Sequence, residues 1–157
     1  MPDMLVRLYT LPEFEPVIAQ QQAQGIDIRR ALAPEKHVVL EWIKRIFGAG
    51  WESECEVAYA RQPIACFVAV YHEKPIGFAC YEATCRGFFG PTGVSEEGRG
   101  KGTGKALLLA CLHAMRNEGY GYAIIGGVGP AEFYAKCVGA TLIEDSTPGM
   151  YRGLLPL

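Results

Sequence analysis

Residues 93–115 read G-V-S-E-E-G-R-G-K-G-T-G-K-A-L-L-L-A-C-L-H-A-M, and the fold of the chain is read outward from them. Gly98, Gly100, Gly102 and Gly104 occupy alternate positions, with Arg99, Lys101 and Lys105 among them. From Leu107 the sequence is an uninterrupted apolar helix former. The pattern predicts a glycine-rich turn opening a helix. Glycine permits positive φ and close backbone approach, and the first helical turn leaves its N–H groups unpaired at the positive end of the helix dipole. Such a place binds anions, most often phosphate.

Spacing discriminates among phosphate sites. A Walker loop needs Gly, four residues, then Gly-Lys-Ser/Thr. Ahead of Gly104-Lys105, however, Arg99 stands where the first glycine belongs, and Ala106 takes the place of the magnesium-binding hydroxyl. The dinucleotide fingerprint G-x-G-x-x-G would need glycine at 103 or 105, which are Thr103 and Lys105. Both patterns fail. What fits is Arg99-x-x-Gly102-x-Gly104, following Val94 at the end of a predicted strand.

The surrounding chain bounds the interpretation. It has 157 residues, half of them hydrophobic, so one core and a single domain over 1–157 are expected. With 15 basic and 17 acidic residues there is no general attraction for nucleic acid or anionic lipid. No apolar run reaches the ~18 to 20 residues of a membrane span, and Met1-Pro2-Asp3 does not open a leader peptide. A cytoplasmic protein without nucleic-acid or membrane partners is expected. Six cysteines form no C-x-x-C pair and lie mostly in hydrophobic segments, which predicts structural thiols in a reducing compartment. His37, His72 and His113 have no ligand spacing, so no metal is expected.

Periodicity then divides the chain. A strand is expected over 4–11 and a short helix over 12–24, started by a Thr10/Glu13 capping box. An amphipathic helix over 33–47 ends at Gly48. Strands follow at 54–60, 64–72, 75–83 and 86–94, the last interrupted by Gly90-Pro91, which marks a bulge or kink. After the helix over 102–117 come a strand at 120–126, a short helix begun by Gly129-Pro130, and strands at 141–144 and 150–155. This predicts an α/β domain with a mixed, mainly antiparallel central sheet of about seven strands and four helices. Exposed strands at the C-terminal end leave room for a homodimer.

That order, with Arg99-Gly100-Lys101-Gly102-Thr103-Gly104 placed after a kinked strand, resembles the GNAT superfamily of N-acetyltransferases, best over 76–140. The resemblance implies a sheet splayed at the strand ending near Val94. It also implies that the segment from Arg99 to Lys105 binds the pyrophosphate of acetyl-CoA, the cosubstrate, through backbone amides. Gly100, Gly102 and Gly104 keep side chains out of the way, Thr103 adds a hydroxyl, and Arg99, Lys101 and Lys105 add charge. Val94 offers main-chain groups to the pantetheine arm. Tyr134 stands where many members have a tyrosine aimed at the thioester sulfur, a general acid for the departing thiolate. Two departures accompany it: Gly127 replaces a common Asn, and the run from Tyr134 to Gly139 is one residue longer than usual. Glu82 is the candidate base, with Glu54 and Glu56 behind it. Trp51, Tyr81, Arg86, Phe88 and Phe89 are candidates for an acceptor pocket. The implied activity is acetyl transfer to a primary amine, a small molecule rather than a protein, by direct attack in a ternary complex. A non-catalytic CoA-binding sensor or interaction domain is the alternative.

Overall fold

The computed structural model describes residues 1–157. Strands β1 (Met4–Arg7), β2 (Ile26–Arg30), β3 (Cys66–Tyr71), β4 (Lys74–Tyr81), β5 (Phe88–Val94), β6 (Tyr122–Ile125) and β7 (Thr141–Leu142) form one sheet. Its order is β2-β3-β4-β5-β6-β1-β7, and every neighbouring pair is antiparallel except β5 and β6. A parallel pair needs a crossover, and α4 (Thr103–Asn117) supplies it. The first strand of the chain is thus inserted between two of the last.

Four further helices, α1 (Glu15–Ala23), α2 (Lys36–Phe47), α3 (Ala49–Tyr59) and α5 (Ala131–Val138), complete the layers. Gly77 pairs with Val94 and Phe78 with Gly93, so Gly77 and Gly93 point to opposite faces of the sheet. A side chain at Gly77 would strike Leu107 of α4, whereas one at Gly93 would strike Phe47 of α2 and Trp51 of α3. Hence α4 covers one face and the α2–α3 pair covers the other. On the α4 face Leu107, Leu108, Leu109, Leu112 and Met115 are buried, each contributing about 1.5–3 kcal/mol by removal from water. Opposite them, the rings of Trp42, Phe47, Trp51 and Phe78 pack at centroid distances of 5.2 to 6.1 Å.

The splay sits where the kink was expected. Phe88 and Phe89 pair with Ile124 and Ile125 of β6, and no ladder joins the two strands beyond them. Gly90 has φ 117°, after which β5 stays with β4 through Thr92, Gly93 and Val94. Strands β5 and β6 therefore part at Phe89.

Several expectations are corrected, the helix count among them, since five helices form rather than four. Residues 49–59 are helix, not strand: Cys55, Ala58 and Tyr59 are buried at helical spacing while Val57 is 49 % exposed. The strand that precedes β3 in the meander is β2, from a segment too short and charged to show a pattern. Residues 150–155 form no strand; Gly149–Tyr151 is a 3-10 turn and an irregular tail follows. The C-terminal strands invoked for a homodimer thus reduce to the two residues of β7. At the other end, β1 stops at Arg7 and a 3-10 turn, Leu8–Thr10, follows it. The Thr10 hydroxyl donates to the Arg7 carbonyl instead of capping α1.

Candidate functional site

Beyond the splay, a 3-10 turn (Glu96–Gly98) leads into the glycine-rich loop, which ends in α4. Gly100 and Gly102 have φ of 77° and 79°, the left-handed conformation that glycine takes without strain. The amides of Gly100, Lys101 and Gly102 make no backbone hydrogen bond, and those of Thr103, Gly104 and Lys105 lie in the first helical turn, ahead of any i−4 acceptor. No side chain caps this end of α4 and no acidic residue sits in its first turn. The result is a row of donors at the positive pole of a 15-residue helix.

This row faces a recess of ≈ 250 Å³ lined by Val94, Arg99, Gly100, Gly102, Thr103, Gly104 and Lys105, together with Gly98 and Phe133. Arg99 and Lys105 are exposed and add positive charge, while Glu96 and Glu97 are exposed on the preceding turn. Lys101 does not line the recess: its ammonium lies over the Tyr71 ring, 4.5 Å from the centroid. The Thr103 hydroxyl is likewise committed, donating to Gln21 Oε1 at 2.8 Å. Only the main chain of Thr103 remains for a ligand.

Gln21 was not legible as a site residue. Its amide is fully buried; Nε2 donates to the Lys101 carbonyl at 2.8 Å while Oε1 accepts from Thr103. Gln24 Nε2 reaches the same carbonyl at 3.0 Å. One side chain of α1 thus ties the loop to the helix it opens. The available signal was a glutamine-rich helix, Ala19-Gln20-Gln21-Gln22-Ala23-Gln24, with no apolar stripe to explain its docking.

Tyr134 lies at the point of divergence, on the α4 face. Its ring packs edge-on against Phe89 at 6.4 Å and Phe133 at 5.1 Å, and it is 6 % exposed. Burial, then the nearby Cys137, pushes its hydroxyl up to about 12, so it carries its proton at any physiological pH.

Glu82 is placed differently from its expected role. It is buried with φ 59°, and its carboxylate is fully engaged. One oxygen accepts the Gly87 amide, and the other takes the Tyr120 hydroxyl at 2.7 Å and faces Arg61 at 3.5 Å. These bonds close the turn between β4 and β5. None of the partners lines the recess. Glu54, on α3, accepts the Thr84 hydroxyl with one oxygen, and Glu56 pairs outward with Lys36 at 3.2 Å.

A second group collects on the α3 face. The Tyr151 hydroxyl, alongside Phe88, fills the space that a side chain at Gly126, just past β6, would need. Burial first, then the charges of Asp3 and Glu54, push that hydroxyl up to about 12. Asp3 accepts the Gly127 amide at 2.8 Å. Trp51, partly exposed, stacks on Phe47. Of the other acceptor-pocket candidates, Tyr81 is buried between Arg30 and Glu118, Phe89 belongs to the Tyr134 cluster, and Arg86 is exposed.

A sequence model described as the Acetyltransferase (GNAT) family matches residues 36–139. The chain belongs to the GNAT acetyltransferase family. No curated protein matches it. Among solved structures, this GNAT chain is similar to the GCN5-related glucosamine N-acetyltransferase region of a fungal multi-domain GH3 β-N-acetylglucosaminidase. The TM-score is 0.74 at 14 % identity, over 90 % of this chain and 19 % of that one. It is also similar to a GCN5-related N-acetyltransferase from Sphaerobacter thermophilus, with TM-score 0.69, 18 % identity and coverage of 90 % and 48 %. A GNAT-family acetyltransferase from Colwellia psychrerythraea gives 0.62, 14 % identity and coverage of 90 % and 52 %. The chain spans about half the length of the latter two and a smaller part of the first. At these identities the likeness concerns the fold. No helix is long and apolar enough to cross a membrane.

Proposed function

We propose that the chain transfers an acetyl group from acetyl-CoA to a primary amine by direct attack in a ternary complex. The observation that carries this reading is the recess at the start of α4, where unpaired amides, Arg99 and Lys105 converge beside the splayed strands. A pyrophosphate fits that chemistry, because anions are held by helix N-terminal amides and the flanking cations favour the same sign of charge. Val94 and the rest of β5 past the splay offer unpaired main chain to an amide-bearing arm.

The chain's own groups then divide the work. Attack of the amine on the thioester carbonyl forms a C–N bond and expels a thiolate. Tyr134, protonated and set at the divergence, donates the proton that the thiolate needs, and it is restored by the proton that the attacking nitrogen sheds as the amide forms. The amine must first lose its own proton. We assign that step to Glu54 rather than Glu82, since both oxygens of Glu82 are held by Gly87, Tyr120 and Arg61, whereas Glu54 has one oxygen beyond its bond to Thr84. Glu54 and Asp3, with Tyr151 between β6 and α3, make an acidic side that favours a small, ammonium-bearing acceptor over an anionic one.

The deciding experiment follows thiol release from acetyl-CoA across a panel of small amines, beside Tyr134→Phe and Gly102→Glu. Release with at least one amine, lost in both variants, supports the transferase. Tight CoA binding with no release from any acceptor identifies a sensor instead. CoA affinity unchanged in Gly102→Glu overturns the pyrophosphate assignment.

A further inference from the structure

The sulfur atoms of Cys55, Cys66 and Cys80 all lie within 4.8 Å of one another. Cys66 and Cys80 are direct partners across the β3–β4 ladder. Cys55 descends on them from α3, its sulfur 3.8 Å from that of Cys66. All three residues are 0 % exposed. One turn along α3, Tyr59 is 8 % exposed, and its hydroxyl is the one buried side-chain polar atom without a hydrogen-bond partner. Burying such a group unpaired is costly, and Tyr59 lies on the same buried stripe of α3 as Cys55.

We propose that Cys55, Cys66 and Cys80 form a site for a divalent thiophilic ion of the zinc and cadmium type. The geometry is close to what such an ion takes. Metal–sulfur bonds of ~2.3 Å put the sulfurs of a tetrahedral or trigonal site roughly 3.8 to 4.0 Å apart. One pair already has that spacing, and no two of the three sulfurs are more than 4.8 Å apart. Binding forms three metal–sulfur bonds and releases three thiol protons to water; nothing is oxidised or reduced. Charge selects the ion. Three thiolates around a divalent ion leave one net negative charge, and around a monovalent ion two. In a fully buried site a second uncompensated charge is the costlier. Because the ligands bind as thiolates, uptake should strengthen with pH.

The test uses the whole chain, reduced and stripped with a chelator, then either incubated with cadmium(II) or refolded in its presence. The expected result is one cadmium per chain with ultraviolet sulfur-to-cadmium charge-transfer absorption. It should persist in the Cys85→Ser/Cys137→Ser double variant, which removes the two partly exposed thiols. It should be lost in Cys66→Val, a change of similar volume, checked for folding by circular dichroism. If Cys66→Val does not fold, wild-type stoichiometry and the double variant decide. The proposal is overturned by the absence of one-to-one binding in both preparations, by binding that survives in folded Cys66→Val, or by binding that vanishes in the double variant. The thiols would then be core filling.

Discussion

The two faces of the splayed sheet present different kinds of polar group. On the α4 face the recess presents main chain of Gly100, Gly102, Thr103, Gly104 and Lys105, in a loop held in shape by the buried Gln21. On the α3 face the polar groups are side chains, Glu54, Asp3 and Tyr151, brought together from three distant segments. A main-chain site depends on backbone conformation and on the absence of side chains, so substitutions that add bulk or charge damage it. A side-chain site depends on individual functional groups, so near-isosteric substitutions are the ones that inform. Under the proposed function the first face would bind the donor and the second would serve the acceptor.

The largest break is expected from Gly102→Glu. It forces a carboxylate-bearing side chain, in a backbone conformation with φ 79°, against Gln20 and Gln21 beside the anion cradle, and like charges at ~4 Å repel by up to about 4 kcal/mol near a protein surface. CoA affinity should fall by about 10²- to 10³-fold in calorimetry; an unchanged value removes the cradle. Tyr134→Phe should lower kcat by about 10²-fold with CoA binding intact. An ordinary tyrosine titrates near ~10, but raised to about 12 this one keeps its proton through that range. The wild-type rate should therefore show no loss near pH ~10 from Tyr134. Glu54→Gln should cost roughly 10²-fold in kcat at neutral pH, shrinking as pH rises and the amine loses its proton unaided. A pH–rate profile that keeps its shape would return the base to another group.

Two smaller effects sharpen the division. Gln21→Leu leaves the Lys101 carbonyl without one donor and the Thr103 hydroxyl unpaired, each worth ~1–3 kcal/mol when buried. Thermal stability should drop, and CoA affinity should fall by roughly 10-fold while kcat holds. Glu82→Gln should be smallest in activity, within about 2-fold, but should lower stability by ~1 kcal/mol through the turn it closes. A loss of kcat that outweighs the loss of stability would restore Glu82 as the base.

Main-chain recognition left a trace in the sequence because glycines at fixed spacing are its cause. The kink at Gly90, the loop and α4 were readable for that reason. The side-chain group left almost none: Glu54 stood only as a candidate behind Glu82, and Tyr151 is an ordinary residue until the fold joins it to Asp3 and Glu54. Helix α3 was misread because Cys55, Val57 and Tyr59 alternate as a strand would, and only the exposure of Val57 shows that Cys55, Ala58 and Tyr59 form the buried stripe. Strand β2 was missed because Arg29 and Arg30 at the sheet edge are held by Glu35 and by the Ile64 carbonyl, partners that local pattern does not reveal. Gln21 shows the remaining limit: a buried amide on a helix with almost no apolar face is stabilised by a loop 80 residues away.

The position of β1 has a kinetic consequence. Met4 pairs with both Ile125 and Leu142, so the strand emerges from the ribosome long before either partner exists. Closing so long a loop costs entropy ahead of any contact that repays it. The meander β2–β5 and the glycine loop can assemble first, leaving β6 without its neighbour and Gly127 without the Asp3 carboxylate. Pulse-labelled hydrogen exchange during refolding should show amides of β3 and β4 protected before those of β1 and β6. The cradle for the donor would then be born early, and the wall that faces the acceptor would be the last part of the molecule to acquire its shape.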